Sequence, residues 1–474
     1  MSSTFYGLEI GRRALATNQL ALDVVGQNVS NVNTPGYSRQ TVNIETTDPF
    51  TPPDLQHGNP GQLGTGVTVG SVTRMRDAFV DQQLRGANSN QGSLNNLRDV
   101  LGQVENAFNE PSDNGLGQLM TNFFNSFSDL ASDPSSGAIR STVQNRGQAL
   151  VSAFHSVSTA LSQITPDIQS NVTTQVNSAN DIAKQIASLN KSIRSAIASN
   201  DHPNDLQDKR DNLLNQLSQI TDVQVVAVRD PQTNLVTGEV NVNVGGFALV
   251  QGDTANALPT QLTTSNGTLG LQTPDKVTIP LHSGQLYGLA KATTLVAGYK
   301  SDLDTLASKL ITTVNTQHQA GVGLDGQGAR DFFSGSNATD ISLSSAVTSN
   351  LNAIAAASKP VAPGTFASGN GDNARALAAI SATQVINGFS LNGYYNANVA
   401  QVGSDSQTFQ TEANTQQSVV TQLQNHQQSV SGVNMDEELT HMLQFQRSYQ
   451  AAARIVNVMD DTLDRIINGL GAGK

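Results

Sequence analysis

A glycine-rich stretch is the first candidate for chemistry in this 474-residue sequence. Gly321, Gly323 and Gly326 match the G-x-G-x-x-G spacing that lets a backbone approach a dinucleotide pyrophosphate. That fingerprint needs a strand before it and a helix opening after it, whereas helical periodicity precedes this stretch and Ala329-Arg-Asp-Phe-Phe333 follows it. The pair Asp325-Gly326 lacks the acidic ladder and twelfth-position glutamate of a calcium loop. The pattern therefore favours a flexible turn.

The other residue types that could act in catalysis or metal binding are scattered along the sequence. The seven histidines show no H-x-x-x-H spacing, cysteine is absent, and no G-x-S-x-G elbow occurs. Acidic pairs such as Asp460-Asp461 fall on the polar flank of a helical pattern, where solvated charge is the ordinary explanation. A glycosidase pair stays open at this stage, since any fold is able to bring two carboxylates together. We expect no catalytic residue, no cofactor and no metal.

Composition narrows the function classes further. The net charge of −12 and pI near 4.9 disfavour general nucleic-acid binding, because phosphates would be repelled. Aromatic residues make up only 5% of the chain and tryptophan is absent, which favours an elongated molecule of thinly cored helix pairs over a compact enzyme. No apolar run of about 18 residues and no signal-peptide core is present, so we expect neither a membrane span nor a cleaved signal.

The elements that organise the chain are its two ends. Each carries apolar residues at helical spacings of three, four or seven, which predicts one amphipathic helix at each end. Glycines at 7, 11 and 26 weaken the first helix by roughly 1 kcal/mol each relative to alanine. The ends are expected to pair with each other or with neighbouring subunits, and to order fully only in a polymer. The predicted seam residues are Leu8, Leu15, Leu22, Val25 and Val29 at one end and Met435, Leu439, Met442, Tyr449, Val456, Met459, Leu463 and Ile466 at the other.

Between the ends, helical periodicity alternates with one β-type region. Residues 221–282 show period-two alternation around turn-like Asp230-Pro-Gln-Thr-Asn234. The predicted fold class is mainly α with a β insertion: an elongated multidomain chain with a coiled-coil-like terminal pair, a long helical bundle and a small antiparallel β domain. The predicted domains are 1–35 with 425–474 (terminal pair), 36–76 (loop and hairpin linker), 77–220 with 284–320 and 372–424 (bundle), and 221–283 with 329–360 (β-rich outer domain).

A run of turn chemistry follows the first helical pattern. It reads Asn28-Val-Ser-Asn-Val-Asn-Thr-Pro-Gly-Tyr-Ser-Arg39, in which proline fixes φ and pushes the preceding residue to an extended conformation. Glycine then allows positive φ, and the asparagines are suited to capping the helix. The helix must stop here. The signature positions of this turn are Asn28, Asn31, Asn33, Thr34, Pro35, Gly36 and Tyr37.

This turn strongly resembles the signature that follows the first helix in the bacterial flagellar axial proteins, the rod, hook and hook-associated proteins. Similarity continues in Pro203-Asn-Asp-Leu-Gln-Asp-Lys-Arg-Asp-Asn-Leu213, Asn315-Thr-Gln-His-Gln-Ala-Gly321, Ser431-Gly-Val-Asn-Met-Asp-Glu-Glu438 and Phe445-Gln-Arg-Ser-Tyr449, in the same order. The resemblance therefore covers both ends and two internal landmarks.

The resemblance implies a structural, non-enzymatic protein. It would be secreted unfolded through the flagellar type III export apparatus, assemble extracellularly as a ring of identical subunits and join hook to filament. The implied partners are other copies of itself, the hook protein, the second hook-filament junction protein and an export chaperone on the C-terminal helix, with no nucleic acid. A hook or distal rod protein is the nearer alternative. A secreted enzyme or adhesin that uses its β insertion is the alternative from another class.

Overall fold

The computed structural model describes residues 5–49, 62–265, 267–359 and 367–471, so part of the predicted loop and hairpin linker over 36–76 lies outside the described residues. The chain is mainly helical. The helices are α1 (Tyr6–Ser30), α2 (Ala78–Phe108), α3 (Leu116–Ser132), α4 (Gly137–Ala198), α5 (Asn204–Ile220), α6 (Gln285–Gln319), α7 (Ser345–Ser349), α8 (Asp372–Ala379), α9 (Leu391–Ser431) and α10 (Met435–Gly471).

The strands of the described residues pair in antiparallel fashion throughout. The hairpin β1 (Gln40–Thr46) and β2 (Val67–Arg74) follows α1. A four-stranded sheet has the order β3 (Gln224–Arg229), β4 (Val236–Val244), β5 (Phe247–Gln251) and β6 (Thr254–Ala255). A three-stranded sheet follows, with β7 (Gln261–Ser265), β8 (Thr268–Gln272) and β9 (Thr278–Pro280). The two-residue strands β10 (Gly321–Val322), β11 (Phe333–Ser334), β12 (Ser342–Leu343) and β13 (Ala357–Ser358) pair as β10 with β13 and β11 with β12.

One compact unit consists of Met1–Asn88, Ser178–Leu258 and Gln417–Lys474. Its core holds the four-stranded sheet against the second half of α4, where Asn190 Nδ2 donates to the carbonyls of Val240 and Gly252, both at 2.7 Å. The start of α2 packs on the end of α9 through Leu84, Ala87 and Val420. This unit also holds both terminal helices and the β1-β2 hairpin.

The second compact unit consists of Ser89–Asn177 and Pro259–Gln416. Its centre is a set of phenylalanine rings on α3 and on the segment after α6, with neighbouring centroids 4.8–5.5 Å apart: Phe123, Phe124, Phe127, Phe332 and Phe333. All five side chains are buried. An apparently aromatic-poor sequence therefore concentrates a third of its 15 phenylalanines at one point.

These elements confirm the predicted fold class, a mainly helical chain with an antiparallel β insertion. Two local features needed the structure. Pro166 lies inside the uninterrupted α4. The β structure expected over 329–360 consists of two-residue strands around the short α7, because the segment is organised mainly by turns and side-chain bonds. The predicted four-domain division remains a hypothesis.

Candidate assembly interface

The terminal helices α1 and α10 pack against each other in antiparallel orientation. Contacts pair Gly7 with Met459, Gly11 with Val456, and Asn28 with Glu438, so residue numbers rise along one helix as they fall along the other. The face that α1 buries is made of small or slender residues, including Gly11, Thr17, Ala21, Val25 and Asn28. The two ends of the sequence therefore meet within one chain.

Glycine sets how closely the helices approach. A Cβ atom added at Gly11 would lie 2.7 Å from Val456 Cγ2 and 3.7 Å from the carbonyl oxygen of Ala452. At Gly7 it would lie 2.8 Å from Met459 Cε, whereas at Gly26 nothing lies within 4 Å. Two of the three glycines that weaken α1 are thus at its contact with α10, where a side chain would separate the helices.

The predicted seam residues of α1 lie in two environments. Val25 is buried, only 4% exposed, and forms part of the small-residue face. The repeat of larger residues is half-buried beside that face: Leu8, Leu15, Leu22 and Val29. The hairpin flanks the same helix, with Thr17 Oγ1 donating to the Val67 carbonyl at 3.4 Å. Part of the apolar surface of α1 is therefore available to β2 as well as to α10.

The predicted seam residues of α10 divide similarly. Met442, Val456, Met459 and Leu463 are half-buried, while Met435, Leu439, Tyr449 and Ile466 are exposed. Among the residues of α10 whose burial the structure describes, Glu438 and Ala452 are instead the most buried. Exposed apolar residues extend along the helix, and we call the following set the outer apolar residues: Met435, Leu439, Leu443, Tyr449, Ile455, Val458 and Ile466. Large apolar side chains exposed in this number are typical of interaction surfaces.

A buried hydrogen-bond network joins the end of α1 to the start of α10. Asn28 Nδ2 donates to Glu438 Oε2 at 3.0 Å and to the Gln40 carbonyl at 2.9 Å. Asn28 Oδ1 accepts from the Gln40 backbone N–H at 3.0 Å and from the Tyr37 hydroxyl at 2.9 Å. All four bonding sites of this amide are used. We call this network, together with Arg39, the Asn28 latch.

Arg39 completes the latch from the hairpin side. Its Nε donates to Glu438 Oε1 at 2.7 Å and its Nη1 to Glu437 Oε2 at 2.8 Å, while its backbone N–H donates to the Ser431 carbonyl at 2.8 Å. The Glu438 side chain is only 2% exposed, but the Glu437 side chain is 55% exposed. Glu438 therefore has the larger structural role, since a buried carboxylate must have its partners.

The signature turn is held by local bonds and by α5. Asn31 caps back onto the Gln27 carbonyl at 3.0 Å and accepts from Thr34 Oγ1 at 3.1 Å. Asn33, Thr34, Pro35 and Gly36 are exposed. Gly36 has φ = 81° and lies against α5, where an added Cβ would be 3.3 Å from Asn212. Only glycine adopts this conformation freely.

The environment of Tyr37 sets the protonation state of its phenol. Burial raises the pKa of the Tyr37 phenol, and the carboxylates of Asp205, Asp208 and Glu438 raise it further. The phenol therefore keeps its proton and serves as a donor to Asn28.

A second charged cluster connects the hairpin to α5 and α2. Asp208 on α5 accepts from the Ser38 backbone N–H and hydroxyl, both at 2.8 Å, and pairs with Arg74 at 2.6 Å. Arg74 also pairs with Asp211 at 2.9 Å, and Arg76 pairs with Asp81 at 2.8 Å. The cluster positions the strands that flank α1.

Sequence analysis missed the polar residues that fix this interface. Glu438, Arg39 and Asp208 received no role in the contact between the ends, although all three lie inside stretches singled out for their resemblance. The available signal was a polar residue on the buried face of an amphipathic helix. Apolar periodicity does not report such a residue, because a single glutamate does not disturb the pattern.

The glycine-rich stretch is a turn in the structure. Gly321 lies in the two-residue strand β10, and the Gly323 N–H donates to the Gln327 carbonyl at 2.8 Å. Neither strand nor helix is placed as a dinucleotide site needs. Within the described residues, histidines and acidic residues form no group suited to a metal ion. Among the helices described, none has both the length and the apolar character to cross a bilayer.

Family models match three stretches of the chain. Residues 101–333 match the flagellar hook-associated protein FlgK helical domain. Residues 8–37 match the flagella basal body rod protein family, and residues 425–469 match the C-terminal domain of the flagellar basal body rod FlgEFG proteins. The last two stretches contain the latch residues Asn28 and Glu438.

Whole-chain comparisons agree with the family models. The chain is 30% identical to flagellar hook-associated protein 1 of Bacillus subtilis, over 100% of both chains. It is 28% identical to flagellar hook-associated protein 1 of Escherichia coli, over 95% of this chain and 97% of the relative. The solved structure of the flagellar hook junction protein FlgK from Burkholderia pseudomallei has a similar fold, with a TM-score of 0.61 and 19% identity over 74% of this chain and 100% of that one. This chain therefore belongs to the flagellar hook-associated protein 1 family, whose members are structural proteins of the bacterial flagellum and not enzymes.

Proposed function

We propose that this protein forms the ring that connects the flagellar hook to the filament, outside the cell, and that it polymerises through its two terminal helices. The single observation that carries the proposal is the antiparallel α1-α10 pair, in which α10 keeps large apolar side chains exposed. Pairing with α1 buries one face of α10 and leaves the outer apolar residues exposed. Neighbouring subunits would bury them, since apolar surface removed from water contributes about 25 cal/mol per Å².

Identical subunits provide the first partner. A ring requires a heterologous contact in which one surface of a subunit meets a different surface of the next. The α10 helix offers its outer apolar residues, and α1 offers the half-buried Leu8, Leu15, Leu22 and Val29. The hook protein would bind one side of the ring and the second hook-filament junction protein the other.

Export would precede assembly. The chain would leave the cell unfolded through the type III export apparatus, and a dedicated chaperone would cover the C-terminal helix until then. The outer apolar residues are the surface that such a chaperone would cover, because exposed apolar side chains promote premature association. A cysteine-free chain is compatible with passage into an oxidising exterior.

Deletion of the gene tests the proposed position. Electron microscopy of the deletion strain should show complete hooks without filaments, with flagellin released into the medium. Cells without hooks would point instead to a rod or hook subunit, and normal filaments would refute the proposal.

Point variants test the polymerisation surface. In the deletion strain, Leu439→Asp and Leu463→Asp should fail to restore filaments although the purified variants stay folded. Gln444→Asp is the matched control, since it adds the same charge to α10 at an exposed position that is already polar. Restored swimming with both leucine variants would show that the terminal helices do not form the contact between subunits.

Hydrogen exchange tests the coupling of folding to assembly. We expect residues 5–35 and 435–471 to exchange faster in the purified monomer than in isolated hook-basal bodies that carry the ring, because neighbours add burial that one chain lacks. Equal protection in the two samples would contradict coupled folding.

A further inference from the structure

The sequence contains six asparagine-glycine pairs, and an asparagine in such a pair is able to react with its own backbone. The glycine nitrogen attacks the asparagine Cγ, the Cγ–Nδ2 bond breaks, and the proton of that nitrogen leaves with the released ammonia. Water then opens the five-membered succinimide ring to aspartate or isoaspartate. No enzyme is needed, because the reacting groups belong to neighbouring residues. The pairs are Asn114-Gly115, Asn266-Gly267, Asn370-Gly371, Asn387-Gly388, Asn392-Gly393 and Asn468-Gly469.

Two of these pairs lie inside helices, where the backbone is fixed and the asparagine side chain is bonded. Asn392 Nδ2, in α9, donates to Thr121 Oγ1 at 2.8 Å. Asn468 Nδ2, in α10, donates to Asp464 Oδ1 at 2.8 Å. Each helix must open locally before the glycine nitrogen reaches Cγ. Both pairs are therefore protected from this reaction.

Two further pairs are held by bonds in loops. Asn370 Oδ1 accepts from the Ser358 backbone N–H at 3.0 Å. The Gly115 N–H donates to the Ser112 carbonyl at 3.0 Å, and Gly115 is buried. In each case one of the two reacting groups is already engaged. Asn266, of a fifth pair, lies outside the described residues.

Asn387 and Gly388 form the tip of a tight turn. Their φ angles of 48° and 83° are both positive, as a type I′ turn requires. The Phe389 N–H donates to the Ile386 carbonyl at 2.7 Å and closes the turn. Both tip residues are exposed, and a Cβ added at Gly388 would find nothing within 4 Å. Within the described part of the chain, neither the Asn387 side chain nor the Gly388 N–H has a hydrogen-bond partner.

We propose that Asn387 is a site of spontaneous deamidation, through attack of the Gly388 nitrogen on Asn387 Cγ. The turn leaves both reacting groups exposed and unbonded, which none of the four restrained pairs does. Glycine adds to this, because no side chain shields its nitrogen. The inference does not depend on the ring of subunits proposed above.

Deamidation would change both the charge and the shape of this turn. No charged residue lies between Arg375 and Asp405, so the new carboxylate would be the only charge in that segment. It would lie two residues from Phe389, whose side chain is 48% exposed. Isoaspartate also lengthens the main chain by one methylene, which would disrupt the bridge between Ile386 and Phe389.

Peptide mapping by mass spectrometry tests the assignment. The purified protein is kept at neutral pH, either folded or in denaturant, and is then digested with chymotrypsin, which cuts after Phe389 and so separates Asn387 from Asn392. In the folded protein, Asn387 should deamidate at least about tenfold faster than the four restrained asparagines, because those require local opening. In denaturant the five should react at similar rates. Equal rates in the folded protein, or a difference that persists in denaturant, would overturn the proposal.

A second experiment tests the nucleophile. Gly388→Asn keeps a residue that tolerates positive φ but shields the nitrogen with a side chain, so deamidation of Asn387 should slow at least about tenfold. Gly403→Ala is the control, since a Cβ there has nothing within 4 Å, and it should keep the parent rate. Isoaspartyl methyltransferase should label the parent peptide that ends at Phe389. An unchanged rate in Gly388→Asn, or a product without isoaspartate, would exclude the succinimide route.

Discussion

The aromatic core of the second unit and the terminal helix pair of the first show opposite ways to join helices. In the core, Phe123 touches four other phenylalanine rings at centroid distances of 5.2–5.4 Å, and every one of them is buried. In the terminal pair, Gly7 and Gly11 let two backbones approach, and several large apolar side chains of α10 stay exposed.

The difference follows from what each region has to bury. Large rings bury 150–250 Å² each and stabilise a region without outside help. Small side chains bury little area, so the α1-α10 pair relies on close backbone contact and on the polar Asn28 latch at one end. The core is therefore complete in one chain, whereas the terminal pair is suited to gaining further contacts.

The largest expected effect removes an aromatic side chain from the core. Phe332→Ala should lower the free energy of unfolding by about 3–5 kcal/mol, because it deletes a fully buried ring that contacts Phe123, Phe127 and Phe333. Chemical denaturation of the purified protein measures this. The control Phe79→Ala, at a side chain 66% exposed, should change stability by less than about 0.5 kcal/mol. Equal effects would contradict the assignment of Phe332 to a packed core.

Next in size is the latch. Glu438→Ala should cost about 3 kcal/mol because it removes the buried acceptor that Asn28 and Arg39 share. Glu437→Ala removes the second carboxylate of the same arginine but should cost about 0–1 kcal/mol, since that pair is exposed. Denaturation, with hydrogen exchange of the Gln40 amide, compares them. A larger cost for Glu437→Ala would show that surface charge, and not the buried network, fixes the pair.

Overpacking the helix contact should have an intermediate effect. Gly11→Leu forces a side chain against Val456 and should weaken the α1-α10 contact by about 1–3 kcal/mol, with loss of filaments in cells. Gly26→Leu, where no atom lies within 4 Å, should preserve filaments and slightly stabilise α1 through helix propensity. If cells with the Gly11→Leu variant still carried filaments, close approach of the α1 and α10 backbones would not be required for assembly.

The smallest effect is a pH dependence in the second unit. His318 is buried, with Nδ1–H donating to the Arg330 carbonyl at 2.7 Å and Nε2 accepting from the Ala355 N–H at 2.9 Å. Burial lowers the pKa of His318, although the Arg330 carbonyl and Asp331 oppose this.

The unfolded chain binds this proton more readily than the folded one. The contribution of His318 to the free energy of unfolding is therefore fully present above the unfolded pKa of about 6.5. It is lost as pH falls from there toward the folded pKa, by up to about 1.4 kcal/mol per pH unit. Denaturation at pH 7.5 and 5.5 should show the loss, and His318→Gln should flatten it. The exposed His426→Gln is the control, and it should keep the slope. An unchanged slope in His318→Gln would place the titrating group elsewhere.

Much of the fold was predictable from local pattern. Helix α1 was expected to end before Pro35, and the β insertion was expected where period-two alternation begins at Val223. Proline and glycine chemistry and side-chain periodicity are properties of neighbouring residues, so the sequence alone reports them. The absence of cysteine and the acidic net charge are likewise read directly from the sequence.

The candidate interface was predictable only in part. The leucine repeat of α1 indicated an amphipathic helix with an apolar face. The residues at closest contact with α10 are Gly7 and Gly11, which the sequence indicated only as positions that lower helix stability. Periodicity identifies an apolar stripe and does not say which edge of it a distant helix will cover.

By itself, then, the sequence determined two amphipathic ends, the turn that follows the first and a helical middle with one β insertion, because these depend on contacts a few residues apart. Only the tertiary structure decided that Asn28 meets Glu438 across 410 positions and that five phenylalanines gather in one core. Such pairings depend on chain topology, and no local pattern encodes the partner of a residue that distant.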